Sequence, residues 1–145
     1  MALLANALRP GGRVVAHEYV QWQSFGLHPH GEAIAGFAAA VMASFLAAGG
    51  DPDVNRLLPG RLAARGFTVE ELRLLPVLGR GDDPWVRWLE RFVTIYGREL
   101  LRQGRWTAED ADAAAAEMAA ARHDLGSFWV GPTVLELRAR NGASP

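Results

Sequence analysis

The chain alternates short apolar runs with longer stretches in which apolar residues return every three or four positions. Arg13-Val14-Val15-Ala16, extended by His17-Glu18-Tyr19-Val20, belongs to the first kind and predicts a buried, parallel-type strand. Phe67 to Leu78, with Val69, Leu72, Leu74, Leu75 and Val77, predicts a second strand, and Thr133 to Arg140, with Val134, Leu135 and Leu137, a third. Helical patterns lie between them. Glu32 to Ala48 carries Ile34, Phe37, Val41, Met42, Phe45 and Leu46 around much of its circumference. Leu57, Leu58 and Leu62 make a one-sided stripe on a helix expected from about Pro52 to Arg65. Trp85 to Gln103 reads as a long amphipathic helix, and an Ala-rich helix follows from Ala108 to about His123. Met1 to Leu8 reads as the tail of a helix.

The punctuation fits these spans. Pro10 and Gly11-Gly12 stop the opening segment, Gly49-Gly50, Gly66 and Gly104 end helices, and His28-Pro29-His30-Gly31 forms a turn. Asp51-Pro52 and Asp83-Pro84 each pair an N-cap candidate with a first-turn proline. Thr107-Ala108-Glu109-Asp110 resembles a capping box, and Leu125 to Val130 reads as a turn. Strand, helices, strand, helices, strand defines an α/β chain.

Composition narrows the chemistry. A length of 145 residues suits a single domain, 1–145, and 50% hydrophobic residues are enough for a core. With no cysteine there is no disulfide framework, thiolate nucleophile or zinc ribbon. All 15 cationic side chains are Arg, and the absence of Lys excludes Schiff-base chemistry and a P-loop lysine. A net charge of −1 without a basic block argues against nucleic acid as a partner. Ala33 to Ala48 falls short of a membrane span and no targeting signal is visible, so a cytoplasmic protein without a membrane partner is expected.

Three segments carry a resemblance. Ala7-Leu8-Arg9-Pro10-Gly11-Gly12-Arg13-Val14-Val15-Ala16-His17-Glu18 resembles the join between the fourth crossover helix and fifth strand of class I S-adenosylmethionine-dependent methyltransferases. Leu58-Pro59-Gly60-Arg61-Leu62-Ala63-Ala64-Arg65-Gly66-Phe67 is similar to that family's next helix and its exit into the sixth strand. Gly104-Arg105-Trp106-Thr107-Ala108-Glu109-Asp110 looks like part of a helical insertion before a last strand, Thr133 to Arg140. The resemblance spans nearly the whole chain but only the C-terminal half of the family. The glycine-rich loop that cradles the methyl donor is absent, as is the acidic residue that holds its ribose.

The resemblance implies a partial Rossmann-like methyltransferase sheet of three strands, the last antiparallel and central, with helical lid insertions at about 28–50 and 83–130. It implies S-adenosylmethionine as cofactor. The opening turn and strand would then be the later part of a larger sheet, and a further alternative is that Met1 is an internal methionine of a longer enzyme. The outer edge of Arg13–Val20 would lack its usual neighbour, so either homodimerisation through that edge or instability is expected.

Ligands of open α/β sheets sit at the carboxyl ends of parallel strands, which makes His17 and Glu18 the candidate catalytic bases for a hydroxyl acceptor. Tyr19, Trp22, His28, Trp85, Trp106 and Trp129 are the candidate acceptor-binding residues, because flat aromatic side chains in a lid suit an apolar or aromatic small molecule. Helix packing accounts equally for Trp85, Trp88, Phe92 and Tyr96. His17, His28 and His30 lack the spacing of a metal set, and exposed turn imidazoles account for the latter pair, so no metal is expected. The function expected is methyl transfer to such an acceptor, this chain supplying mainly the acceptor side. The alternative is a non-catalytic small-molecule-binding or dimerisation module that lacks the donor half.

Overall fold

A computed structural model describes residues 7–142. It is a mixed α/β structure with two small three-stranded sheets. The helix expected over Met1 to Leu8 lies almost wholly outside the described residues. The chain divides into two compact units, one formed by 1–20, 53–75 and 133–145, the other by 21–52 and 76–132.

The first unit is built on the sheet β1 (Arg13–Gln21), β6 (Thr133–Asn141) and β3 (Phe67–Leu75), in the order β1-β6-β3. The last strand therefore lies in the middle. It runs antiparallel to β3, from Phe67 opposite Asn141 to Leu75 opposite Val134, with a bulge between Val69 and Glu71. Gly11 N donates to Asn141 O and Asn141 N donates to Gly12 O, which sets the start of β1 beside the end of β6 and makes that pair antiparallel too. β1 and β3 are consequently parallel to each other. The core consists of Leu62, Phe67, Leu137 and Ala139, with Leu8, Val14, Leu58 and Val69 packed around it. Leu62 comes from α2 (Leu58–Ala63), and Gly66 beyond it adopts φ +81°, a turn that a side chain would strain.

Two expected elements are shorter than their patterns suggest, for one reason. The helix expected from Pro52 to Arg65 is a single 3₁₀ turn, Val54–Arg56, followed by α2, so Asp51 caps no helix. Pro59 lacks the N–H that a continuous helix would need there; it sits in the first turn of the new helix, where that donor is not required. Likewise Pro76 ends the strand expected through Leu78. β3 stops at Leu75, and β4 (Leu78–Gly79) belongs to the second sheet.

The second unit contains the sheet β2 (Gly26–His28), β5 (Phe128–Val130) and β4, in the order β2-β5-β4, with both pairs antiparallel. Sequence pattern gave β2 and β5 no place; Phe128 to Val130 was expected as a turn. Three-residue strands are too short to show alternation, and only pairing reveals them. The unit's helices are α1 (Glu32–Ala47), α3 (Pro84–Arg102) and α4 (Ala108–Ala121). Asp83 caps α3 by accepting from Trp85 N at 2.8 Å, and Thr107 and Asp110 form the full capping box on α4. α1 begins at Gly31, which has no side chain to cap it. Glu117 on α4 substitutes, its two carboxylate oxygens accepting from Ala33 N at 2.8 Å and Ile34 N at 3.0 Å. Gly97 lets α3 approach the ring of Trp106, whose Cζ3 would lie 2.5 Å from any Cβ placed there.

Candidate functional site

The candidate residues fall in two places, one in each unit. On the sheet of the first unit, β6 alternates Leu135, Leu137 and Ala139 on its apolar face with Glu136, Arg138 and Arg140 on the other. His17 of β1 shares this charged face. Its Nε2 lies 2.6 Å from Glu136 Oε2, while Glu136 Oε1 lies 2.9 Å from Arg138 Nη2 and 3.2 Å from Arg73 Nη2. Glu136 is almost wholly buried within this ring of cationic partners. The hydrogen bond from His17, then the charges of Arg138 and Arg73, outweigh burial and hold its carboxyl below the usual glutamate range. A second cluster, Arg13 and Arg140 on either side of Glu70, lies at the other end of the same face, each 2.9 Å from a Glu70 oxygen.

Since Glu136 stays ionised, His17 Nε2 is the donor and a neutral imidazole keeps its lone pair at Nδ1. This is a histidine oriented by a carboxylate, a pairing able to accept a proton from a hydroxyl. Glu18 is not part of it. Successive strand residues point to opposite faces, so Glu18 and His17 diverge. The backbone of Glu18 serves structure: its carbonyl accepts from Asn55 Nδ2 at 3.1 Å, and the same amide donates to Leu135 O at 2.6 Å. Tyr19, half-buried on the side of His17, has its hydroxyl pKa raised by burial and then by the charge of Glu18.

In the second unit the aromatic side chains other than Phe128 form one connected network. Trp22 contacts Phe25, Phe45 and Phe92 at centroid separations of 6.1, 5.6 and 5.8 Å. Phe25 continues to Trp129 at 5.9 Å, and Phe37 to Trp106 at 5.4 Å. Along α3, Trp88 stacks on Phe92 and Phe92 on Tyr96, at 6.1 and 5.5 Å, with Trp85 edge-on to Trp88 at 6.2 Å. Trp22, Trp106 and Trp129 are buried at 3, 8 and 2% exposure, whereas Trp85 and Trp88 remain 51 and 44% exposed. Trp106 still borders a small apolar cavity of about 140 Å³ with Gly97, Leu101, Ala115 and Met118. A larger apolar groove of about 460 Å³ runs along α1 over Phe25, Ala38, Met42 and Leu46. His28 is exposed on β2 and stacks on Phe128 at 5.1 Å.

Sequence reading passed over Glu136, Arg73, Arg138 and Asn55. The first three had a signal in the period-two charges of Glu136-Leu137-Arg138-Ala139-Arg140, opposed by the charges of β3. Asn55 had none; a lone polar residue between Val54 and Arg56 gives no sign of being fully buried. The glycine turn before β1 does not supply a donor cradle. Gly11 N and Gly12 N already donate to Asn141 O and Arg9 O, so those amides are spent on the fold. Among the described residues, no three His, Cys, Asp or Glu side chains gather as a metal site, and no helix is long and apolar enough to cross a membrane. No protein-family model matches the chain, and a search of curated proteins finds no match.

Proposed function

We propose that this chain forms the acceptor-binding part of a methyltransferase that uses S-adenosylmethionine and acts on a small apolar or aromatic hydroxyl compound. The observation that carries the reading is the strand order β1-β6-β3, with the final strand antiparallel between two parallel ones and entered through the Pro10-Gly11-Gly12 turn. That order is what the family resemblance implies. The second unit supports it, since its two segments interrupt the sheet unit where a lid would, after β1 and after β3, and its exposed Trp85 and Trp88 offer flat apolar surface.

The bound donor would supply an electrophilic methyl group. These residues do not build its cradle, so the chain's own part is to hold the acceptor and to take its proton. On the second unit Trp85 and Trp88 offer ring surface to an aromatic compound; on the first, His17, steadied by Glu136, is the side chain suited to take a hydroxyl proton.

A second reading is a non-catalytic binding or dimerisation module. One observation favours it: β1 is the outer strand of its sheet, and Val15 on it is 56% exposed.

Titrating the chain with 2-naphthol, read by tryptophan fluorescence, tests acceptor binding; incubation with S-adenosylmethionine labelled in its methyl group tests transfer. Saturable quenching that weakens about tenfold in Trp88→Ala, with no label transfer by this chain alone, is the expected result. Label transfer by this chain alone overturns the assignment of the donor cradle to other residues. No quenching removes the acceptor site itself.

A further inference from the structure

We propose that the second unit carries an anion-binding pocket, separate from its aromatic surface, that takes a small ligand bearing two or more negative charges. The pocket opens along the first turns of α3, over about 480 Å³, and also borders Gly81 and Asp82 of the preceding loop. Three arginines line it. Arg87 and Arg91 stand one turn apart on α3, where like charges repel, and among the described residues neither side chain has an ion-pair partner. The third, Arg122, comes from the end of α4 and is gripped in fork geometry by Glu90, Nε to Oε1 at 3.1 Å and Nη2 to Oε2 at 2.9 Å.

Glu90 shapes the charge of the pocket in two ways. It is buried, and its charge is consumed by Arg122, so it fixes one guanidinium while leaving the other two uncompensated. Asp82 is the remaining acidic side chain on the lining and sits in the loop, off the helix face that carries Arg87 and Arg91. The Thr94 hydroxyl closes the far end, already donating to Glu90 O. Net field does not explain the preference. The unit holds seven Arg against eleven acidic side chains, a net charge of −4, so an anion is drawn here by the local cluster of arginines. Planar guanidinium forks suit phosphoryl and carboxylate oxygens alike. The chemistry assigned is therefore a compact polyanion, either a phosphoryl compound or a dicarboxylate.

Isothermal titration of the full chain at low ionic strength with inorganic pyrophosphate and, separately, with succinate tests the site and tells the two sources apart. The expected result is binding of at least one probe with a Kd at or below about 1 mM. Arg87→Ala and Arg91→Ala should each weaken it about tenfold. Arg98→Ala removes another unpaired arginine of α3 outside the pocket and should leave the affinity within about twofold. Circular dichroism of each variant confirms that the helices persist. Absence of heat with either probe up to about 10 mM overturns the proposal. So does an equal loss in Arg98→Ala, which would make the attraction a diffuse one.

Discussion

Asn55 holds together strands that are far apart in sequence, since its amide bonds Glu18 O on β1 and Leu135 O on β6 while fully buried. Asn55→Leu keeps the branched shape, adds bulk and orphans two carbonyls, so urea unfolding should show a loss of about 1–3 kcal/mol. Glu136 makes a different prediction because it titrates. Its carboxyl is more acidic folded than unfolded, chiefly through the bond from His17, so the folded state binds fewer protons. That contribution is complete above the ordinary glutamate range and disappears as pH falls through the lowered value. Glu136→Gln should therefore melt below the parent at about pH 7, and the two Tm values should converge as the pH is taken to about 3. An unchanged gap across that range would mean that the carboxylate's charge is not what its neighbours hold.

The helices of the second unit begin in three ways, and the difference is measurable. Asp83 caps α3 and Thr107 caps α4 locally, from the residue just before each helix. α1 depends instead on Glu117, which reaches across from α4. Thr107→Ala should cost about 1 kcal/mol and loosen only the first turn of α4, read as faster amide exchange there. Glu117→Ala should cost a similar amount, about 1 kcal/mol, but the faster exchange should appear at Ala33 and Ile34 on α1. The local caps were legible from Asp83-Pro84 and Thr107-Ala108-Glu109-Asp110, because such caps are written within four residues. Glu117 was not, because its partners lie more than 80 residues away. The same distinction runs through the strands. β1, β3 and β6 announced themselves by their runs of apolar residues, whereas β2 and β5 exist only by virtue of pairing with each other and β4. At the candidate site the pattern marked His17 and the tryptophans, but not which were exposed, because Trp22 and Trp88 differ in surroundings rather than in sequence context.

At the scale of the molecule, the first unit draws its sheet from three separated stretches of chain, and β1 occupies an outer position within it. A nine-residue edge strand with an exposed Val15 invites a second strand along its open side. Sedimentation velocity should show a self-associating species, and Val15→Lys, which sets a charge on that edge, should shift it toward the monomer. A parent chain that sediments as a monomer at every concentration would remove the dimerisation reading.

The seat of β6 between β1 and β3 has a consequence for biosynthesis. Both of its neighbours emerge from the ribosome long before it does, and each must wait with an unsatisfied backbone edge until β6 itself arrives. A nascent chain stalled just short of Thr133 would have every residue of those two neighbours and no means of joining them, which makes the interval before β6 is made the period when this sheet is most exposed to clumping.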